Sequence, residues 1–273
     1  MLPALDERYA LPADAAGSFA RDGFVVLREL ASAAEVAVFR GAIAATAERL
    51  RWDMRPLEER DTYGKAFLQV TNLWQDSERV LEFVSSPRLA RIAAQLLGVQ
   101  SVRLYHDQAL YKEPSGGVTP WHADQYYWPL SNANSCTAWI PLQATPPEMG
   151  PLAFSVGSHR FESGRDMEIS DEGEQKISAA LEAKNLPTDE EPFDLGEVSF
   201  HYGWTFHRAG PNTTTHPRAV MTVIYIEDGI RLVEPMNKNQ IGDIDKWMAG
   251  TKVGDVVATE LNPVLYRRDE NRV

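Results

Sequence analysis

Cysteine is almost missing from this sequence: Cys136 is the only one among 273 residues. A single thiol excludes an internal disulfide framework and any zinc site built from several cysteines. Because small secreted domains commonly depend on disulfides, the shortage favours a protein of a reducing compartment.

Basic residues are outnumbered, and long apolar runs are missing as well. The 27 Lys and Arg residues face 39 Asp and Glu residues, which gives a formal net charge of −12. This acidity argues against nucleic acid or an anionic membrane as the main partner. No apolar run approaches the roughly 20 residues that span a bilayer, and the N-terminus lacks the basic and apolar regions of a signal peptide. We therefore expect a soluble cytoplasmic protein.

The apolar content of the sequence, 44%, is enough for a sizeable core. We expect one domain over residues 1–273, because neither an internal repeat nor a long linker divides the chain. Residues 1–98 carry mostly helical spacing. Their predicted elements are a short helix over 13–23, a strand over 23–27, a helix capped by Ser32, an irregular charged segment over 53–65, and a helical stretch after residue 76 that Pro87 interrupts.

After Gly98 the apolar period changes from about four residues to two. The predicted strands cover residues 101–105, 108–112, 136–142, 152–156, 197–204 and 218–227. Short strands separated by Gly and Pro turns, preceded by helices, indicate a mainly β fold with flanking helices (α+β). The predicted architecture is a double-sheet jelly-roll barrel with the N-terminal helices packed on one sheet.

The barrel would occupy residues 99–228, and two segments depart from its pattern. Residues 162–192 hold ten acidic residues against three basic ones, with a helix predicted over 177–184. Such a segment is ordinarily a solvated insertion, and the functional alternative is a flexible lid. The tail over 229–273 mixes turns with a predicted short helix over 245–249.

A histidine and an aspartate lie two residues apart in the aromatic-rich stretch 119–128, TPWHADQYYW. On an extended strand alternate side chains share one face, so His122 and Asp124 would project together with Ala123 turned away. An imidazole and a carboxylate are two-thirds of the 2-His-1-carboxylate triad, which binds non-heme Fe(II) and leaves open coordination positions. Such a site needs a second histidine.

His207 is the candidate for that second histidine because of its setting. It follows the apolar segment 204–206 (WTF) and precedes a Gly-Pro turn, and Arg218 opens the next predicted strand. A strand, a turn and a returning strand predict His207 and Arg218 on neighbouring strands of one barrel. From there the Arg218 guanidinium would bind a carboxylate through two parallel N–H···O bonds.

The ordered set His122-x-Asp124, His207, Arg218 resembles the phytanoyl-CoA dioxygenase family of Fe(II)/2-oxoglutarate oxygenases. The resemblance begins near residue 19 and is strongest over 104–226. Three further motifs carry it: residues 137–142 (TAWIPL), 150–152 (GPL) and 157–160 (GSHR).

This resemblance implies a double-stranded β-helix of the cupin-like type, with His122, Asp124 and His207 as iron ligands. Arg218 would bind the distal carboxylate of 2-oxoglutarate, and the keto acid end would chelate Fe(II) beside the position for O2. The implied activity is hydroxylation of a small organic substrate with release of succinate and CO2. Desaturation, ring closure and epimerisation use the same kind of site and stay open.

The resemblance also assigns co-substrate contacts to three strand residues, Gln108, Thr137 and Trp139. The alternative for each is an ordinary strand residue that faces the barrel interior. Among the remaining histidines, we expect His159 to stabilise a turn. Three more are expected to be structural or surface residues: His106, His201 and His216.

The aromatic run 126–128 (YYW) has two interpretations. It either contacts an apolar or ring-bearing substrate, or it packs against the lid or the N-terminal helices. No obvious basic site for a CoA phosphate is present, although Lys112, Arg160 and Arg208 are available. Two other function classes remain: a jelly-roll protein that binds a metal or ligand without turnover, and a redox-neutral metal isomerase. Arg218 discriminates, because neither alternative needs a residue for a dicarboxylate.

Overall fold

The computed structural model describes residue 5 and residues 8–268. Its helices are α1 (Ala15–Asp22), α2 (Ala33–Leu50), α3 (Thr62–Ala66), α4 (Glu78–Val84), α5 (Pro87–Leu97), α6 (Asp171–Ala183) and α7 (Lys238–Trp247). Its strands are β1 (Phe24–Leu27), β2 (Leu68–Thr71), β3 (Ser101–Lys112), β4 (Thr119–His122), β5 (Ser135–Pro141), β6 (Leu152–Ser155), β7 (Thr188–Asp189), β8 (Val198–Tyr202), β9 (His207–Ala209), β10 (Arg218–Glu227) and β11 (Val264–Arg267).

The strands form two antiparallel sheets, which confirms the predicted jelly-roll. The major sheet has the order β1-β8-β5-β10-β3-β11, with β2 also paired to β3. The minor sheet has the order β4-β9-β6-β7. The chain therefore passes repeatedly from one sheet to the other, and a cavity lies between them.

The N-terminal helices pack on the outer face of the major sheet, as predicted. Ser32 caps α2 through a capping box, since its hydroxyl accepts from the Glu35 N–H (3.2 Å) and the Glu35 carboxylate accepts from the Ser32 N–H (2.7 Å). Phe39 and Phe83 pack edge to face in the same core as Met221 and Val223 of β10. Burial of each such side chain stabilises the fold by about 1.5–3 kcal/mol.

The prediction of two strands over 101–105 and 108–112 was wrong, because β3 is continuous. The polar pair His106-Asp107 interrupts the apolar pattern but not the strand. Asp107 is fully buried, and its carboxylate accepts hydrogen bonds from the backbone N–H groups of Leu73 (3.0 Å) and Trp74 (3.4 Å). Hydrogen bonds to a distant segment thus satisfy the buried carboxylate of Asp107, whose polar character had suggested an end to the strand.

Helices outside the core were located poorly from the sequence. The segment over 53–65 was predicted irregular, yet α3 begins within it. The helix predicted over 177–184 begins at Asp171, after a Ser170 cap, and the one predicted over 245–249 begins at Lys238. Both contain charged and polar residues at positions where an apolar period would normally show.

Membrane insertion finds no support in the helices. Within the part of the chain that the structure describes, none is both long enough and apolar enough to cross a bilayer. The cytoplasmic location stays a prediction.

Candidate functional site

The predicted metal ligands meet at the minor sheet. His122 is the last residue of β4 and pairs directly with His207, the first residue of β9. The prediction that Asp124 shares the strand of His122 was wrong, because the strand ends at His122 and Asp124 opens a short 3-10 turn. Ala123 between them is extended (φ −121°, ψ 129°) and buried in a separate core cluster. The side-chain alternation of a strand therefore persists past its end and directs Asp124 toward the two histidines.

The three side chains have the geometry of a metal-binding triad. His122 Nε2 and His207 Nε2 each lie 3.7 Å from Asp124 Oδ1. One ligand atom from each of the three residues lies within 4.8 Å of the other two. Two imidazoles and one carboxylate are a donor set that suits a non-heme Fe(II) centre.

Backbone hydrogen bonds fix which nitrogen each imidazole presents to the metal position. His122 Nδ1 lies 2.7 Å from the carbonyl oxygen of Pro120, and His207 Nδ1 lies 2.9 Å from that of Thr205. Because a carbonyl can only accept, Nδ1 is the protonated nitrogen and Nε2 keeps its lone pair. Burial, reinforced by the neighbouring imidazole, lowers the pKa of both histidines to about 4. Both are therefore neutral at pH 7, the form that ligates metals.

Asp124 is ionised in spite of its position in the interior. Burial opposes its ionisation, but the nearby His207 and a hydrogen bond from His201 hold the pKa of this carboxyl well below its usual range. Its Oδ2 accepts hydrogen bonds from Thr137 Oγ1 (2.8 Å) and His201 Nε2 (3.2 Å). The Thr137 hydroxyl, predicted to contact the co-substrate, is thus directed to the carboxylate, and a co-substrate contact for it stays a prediction.

Arg218 lies across the cavity from the triad rather than beside His207. The prediction of neighbouring strands was wrong: β9 belongs to the minor sheet, whereas β10 pairs with β3 and β5 in the major sheet. The connection crosses between the sheets and is anchored by Asn212, whose side-chain amide donates to the carbonyls of Lys112 (3.0 Å) and His216 (2.8 Å). Both His207 and Arg218 nevertheless line the same cavity.

The Arg218 guanidinium is 2% exposed, and its fork is only partly used. One Nη1–H donates to the carbonyl of Gly150, while Nε is buried without a hydrogen-bond partner. Gly150 has φ +69°, and a Cβ there would lie 2.3 Å from the Gly210 carbonyl oxygen, so the GPL motif needs glycine at this position. The Gly150 carbonyl thus orients the Arg218 guanidinium and leaves its Nε edge without a hydrogen-bond partner.

Lys112 is a second buried basic residue beside Arg218, and no pattern in the sequence indicated its position. Its side chain is fully buried, and Nζ donates to the Gly117 carbonyl and to Thr119 Oγ1 (3.1 Å). Burial and the charge of Arg218 lower the pKa of Lys112 to about 6. Among the described residues neither Arg218 nor Lys112 has an acidic partner within 4.0 Å. Because Arg218 lines the cavity, this end of it is suited to an anion, whose charge would favour protonation of Lys112.

Trp139 and Gln108 also line the cavity. The Trp139 ring centroid is 5.4 Å from Arg218 Cζ, and the indole lines the cavity with 2% exposure. Gln108 lines it too, and its Oε1 accepts a hydrogen bond from the Gln69 side chain. Their predicted contact roles stay predictions.

The cavity between the sheets has a volume of about 650 Å³. Its lining includes several aromatic rings, among them Tyr63, Tyr127, Trp128 and Trp247. His106 also lines the cavity and stacks on Trp247, with ring centroids 5.0 Å apart. Burial lowers the pKa of His106 to about 4, so a neutral imidazole faces the cavity.

Two of the remaining histidines, His159 and His216, lie apart from the triad. His159 Nε2 is 3.2 Å from the carbonyl oxygen of Ala20, so this side chain ties the GSHR turn to α1. His216 is exposed on the loop before β10. His201, in contrast, lies within the site, where the sequence offered no signal for it.

The acidic segment over 162–192 is packed rather than merely solvated. On α6, Ile177 and Leu181 are buried against Trp121, and the Glu174 carboxylate accepts from the Trp121 N–H (2.6 Å). Glu168, which precedes α6, lines the cavity. The helix thus covers the minor sheet behind the triad, and its preceding turn forms part of the cavity mouth.

Comparison with known proteins places residues 19–220 within the family model described as phytanoyl-CoA dioxygenase (PhyH). A probable alpha-ketoglutarate-dependent hypophosphite dioxygenase of Stutzerimonas stutzeri is 25% identical over 218 residues, 74% of each chain. An ectoine dioxygenase of Bordetella parapertussis is 28% identical over 239 residues, 79% of this chain and 75% of the relative.

A similar fold occurs in a solved structure, the non-heme alpha ketoglutarate dependent carbocyclase SnoK from nogalamycin biosynthesis. The two share 26% identity with a TM-score of 0.77, over 93% of this chain and 96% of that one. The likeness therefore extends over helices, both sheets and the tail.

Proposed function

We propose, from the premise that this chain belongs to the phytanoyl-CoA dioxygenase family, that it is an Fe(II)- and 2-oxoglutarate-dependent dioxygenase that hydroxylates a small organic substrate. The observation that carries the proposal is the convergence of the His122, Asp124 and His207 ligand atoms in a cavity that ends at Arg218. We also infer that the helical part and the barrel act as one domain, since they share one core.

The residues present fit the implied iron. His122, Asp124 and His207 would hold Fe(II), with both imidazoles already neutral and their Nε2 atoms free to bind. Three protein ligands leave three positions for a bidentate co-substrate and O2. When bound, the iron with 2-oxoglutarate and O2 supplies oxidation of an unactivated C–H bond, with succinate and CO2 as co-products.

Arg218 would bind the distal carboxylate of 2-oxoglutarate through its unsatisfied Nε edge. Lys112 beside it, largely neutral at pH 7 without a ligand, would be favoured to take up a proton when the carboxylate is bound. Trp139 would bound the co-substrate on one side. The alternative of a protein that binds a metal without turnover, or an isomerase, leaves the buried guanidinium of Arg218 without a purpose. Burial of unpaired charge is unfavourable, so an anionic ligand is the physical reason to retain it.

The substrate proposed here is a small polar molecule with a ring or other apolar part. Tyr127 and Trp128 line the cavity and offer rings for packing. His106 and Asp243 offer hydrogen-bonding groups on the same wall, and burial raises the pKa of Asp243 to about 7. Aromatic walls with a few polar groups are typical of sites for small organic ligands.

A CoA thioester is not the substrate we propose, because none of the available cations is placed for its phosphates. Lys112 is buried beside Arg218, and Arg160 donates to the backbone of Ala20 and Arg21. Arg208 is shared by two carboxylates, those of Glu174 (4.0 Å) and Glu190 (3.8 Å).

The other charges of the cavity lining give the same indication. Besides the triad and Arg218, the Asp, Glu and Lys side chains that line it are Asp61, Glu168, Asp243, Lys238 and Lys246, and Lys238 Nζ lies 3.8 Å from the Glu168 carboxylate. The two lysines are offset by acidic side chains, so the lining offers no cluster of positive charge for a polyanion.

A second candidate reaction is ring closure, which would use the same residues but would add no oxygen atom to the substrate. It is favoured by the similarity to a carbocyclase, which covers nearly the whole chain. In both reactions the protein positions one C–H bond of a bound substrate near the triad. They differ in the bond that finally forms on that carbon, so the product and not the site distinguishes them.

Anaerobic titration with Fe(II) and 2-oxoglutarate tests the proposal. We expect a visible charge-transfer band in the parent protein and none in Asp124→Ala or His122→Ala. After exposure to O2, a panel of small polar compounds would be tested for those that stimulate succinate formation from 2-oxoglutarate, which would identify the substrate class. Mass analysis of the product would distinguish hydroxylation from ring closure. A parent protein that binds Fe(II) but neither forms the band nor yields succinate would contradict the proposed function.

A further inference from the structure

The two carboxylate oxygens of Asp124 have different surroundings. Oδ1 faces His122 Nε2 and His207 Nε2 at 3.7 Å each. Oδ2 accepts hydrogen bonds from Thr137 Oγ1 at 2.8 Å and His201 Nε2 at 3.2 Å. One oxygen is therefore offered to the metal position, while the protein holds the other.

The two donors come from rigid neighbouring strands. Thr137 on β5 and His201 on β8 are direct cross-strand partners in the major sheet. Their side chains project from one face toward the turn that carries Asp124, and both residues are almost completely buried. The sheet register, and not a flexible loop, thus brings them to the same oxygen.

His201 makes this contact at a cost. Its Nδ1 is buried without a hydrogen-bond partner, so the bond to Asp124 is the only one that the described structure shows for this imidazole. An unsatisfied buried polar atom destabilises the folded state. An apolar ring would avoid that cost, which argues that the Nε2 donor is what the position requires.

We propose that His201 and Thr137 are positioning residues for Asp124, which hold Oδ2 so that Oδ1 alone ligates the metal. The proposal rests on the proposed function only in that the triad binds a divalent metal. A carboxylate can ligate through one or both oxygens. Binding through both would occupy a position that a bidentate co-substrate needs. The pair of donors would thus preserve the open positions as well as orient the ligand.

Matched substitutions test the role of each donor. Thr137→Val removes the hydroxyl at constant shape and Thr137→Ser retains it, while His201→Phe removes the Nε2 donor and His201→Gln retains an amide N–H in its place. With Mn(II) as the probe, calorimetry should show affinity about 10-fold lower in the Val and Phe variants, as for other residues that orient metal ligands. The Ser and Gln variants should bind within about 3-fold of the parent protein.

A second readout separates positioning from general stability. If the two residues had a merely structural role, the melting temperatures of the metal-free variants would fall. That role would not predict a loss of Mn(II) affinity in the Val and Phe variants that the Ser and Gln variants restore. With Fe(II) and 2-oxoglutarate at saturating concentration, the charge-transfer band should be weaker or displaced in the Val and Phe variants.

Parental Mn(II) affinity in both Thr137→Val and His201→Phe would overturn the proposal, as would failure of the Ser and Gln variants to restore it. If His201→Phe does not fold, the Thr137 pair decides alone, because valine and threonine have nearly the same shape. The predicted affinity pattern in a protein that forms no succinate would refute the oxygenase function and leave the positioning role standing. A parent protein that binds no Mn(II) would overturn both.

Discussion

The two faces of the major sheet use the same strands for different purposes. On β10, Met221 and Val223 face the helices, whereas Arg218 and Thr222 face the cavity. The helix side is apolar and closely packed. The cavity side holds buried groups whose partners the described chain does not supply, such as Arg218 Nε. The helix-facing side thus has the apolar packing of a stable core. The cavity-facing side leaves buried polar groups unsatisfied where a ligand would supply their hydrogen-bond partners.

The largest effect is expected from the helix side. Met221→Ala should lower the free energy of unfolding by about 2–5 kcal/mol, because Met221 is fully buried and its loss leaves a cavity. Urea denaturation measures the change. Met221→Leu is the control and should cost less than about 1.5 kcal/mol. Folded protein of both variants should bind 2-oxoglutarate normally, and a weakened co-substrate affinity in Met221→Leu would contradict the division between the faces.

On the cavity side, Arg218→Ala should weaken 2-oxoglutarate binding about 10- to 100-fold, equivalent to a charge-assisted contact of about 1.5–3 kcal/mol. Fe(II) affinity should survive, because the triad is on the other sheet. Anaerobic titration measures both. Arg218→Lys keeps the positive charge but not the forked guanidinium, so its affinity for 2-oxoglutarate should lie between those of the parent protein and Arg218→Ala. Equal affinity in parent and Arg218→Ala would exclude this role.

The smallest effect, taken per pH unit, concerns Lys112. Its pKa of about 6 in the folded protein lies below the value of about 10.4 in an unfolded chain. Between these values the unfolded state binds the extra proton, so this residue makes stability rise with pH. Relative to Lys112→Met, the parent should therefore gain at most about 1.4 kcal/mol per pH unit from pH 6.5 to 9.5 in the absence of ligand. Parallel profiles from denaturation at each pH would show that Lys112 keeps its ordinary pKa.

Local patterns predicted the parts of the fold that local forces determine. The alternation over residues 136–142 and 218–227 correctly predicted two central strands of the major sheet. Ser32 was correctly identified as a helix cap because a capping box is complete within four residues. The family and the jelly-roll were predicted from motifs whose spacing the sequence displays directly.

The features that the sequence could not predict depend on contacts between distant segments. The strand that carries His207 belongs to the minor sheet, whereas the strand that carries Arg218 belongs to the major sheet. The periodicity of a sequence does not indicate where the chain crosses from one sheet to the other. Lys112 and His201 are single polar residues in strands, and only the register places one beside Arg218 and the other beside Asp124. Signals of this kind need pairing information between strands.

The carbonyls of Pro120 and Thr205 set the proton positions of the two histidines before any metal arrives. Such a preformed site needs no rearrangement on loading, and so it also has little means to reject a competitor. Affinity of nitrogen and oxygen sites rises from Mn(II) through Fe(II) to Ni(II) and Cu(II). Which ion this protein carries in a cell is then decided by supply, and recombinant samples should be stripped and reloaded before their activity is compared.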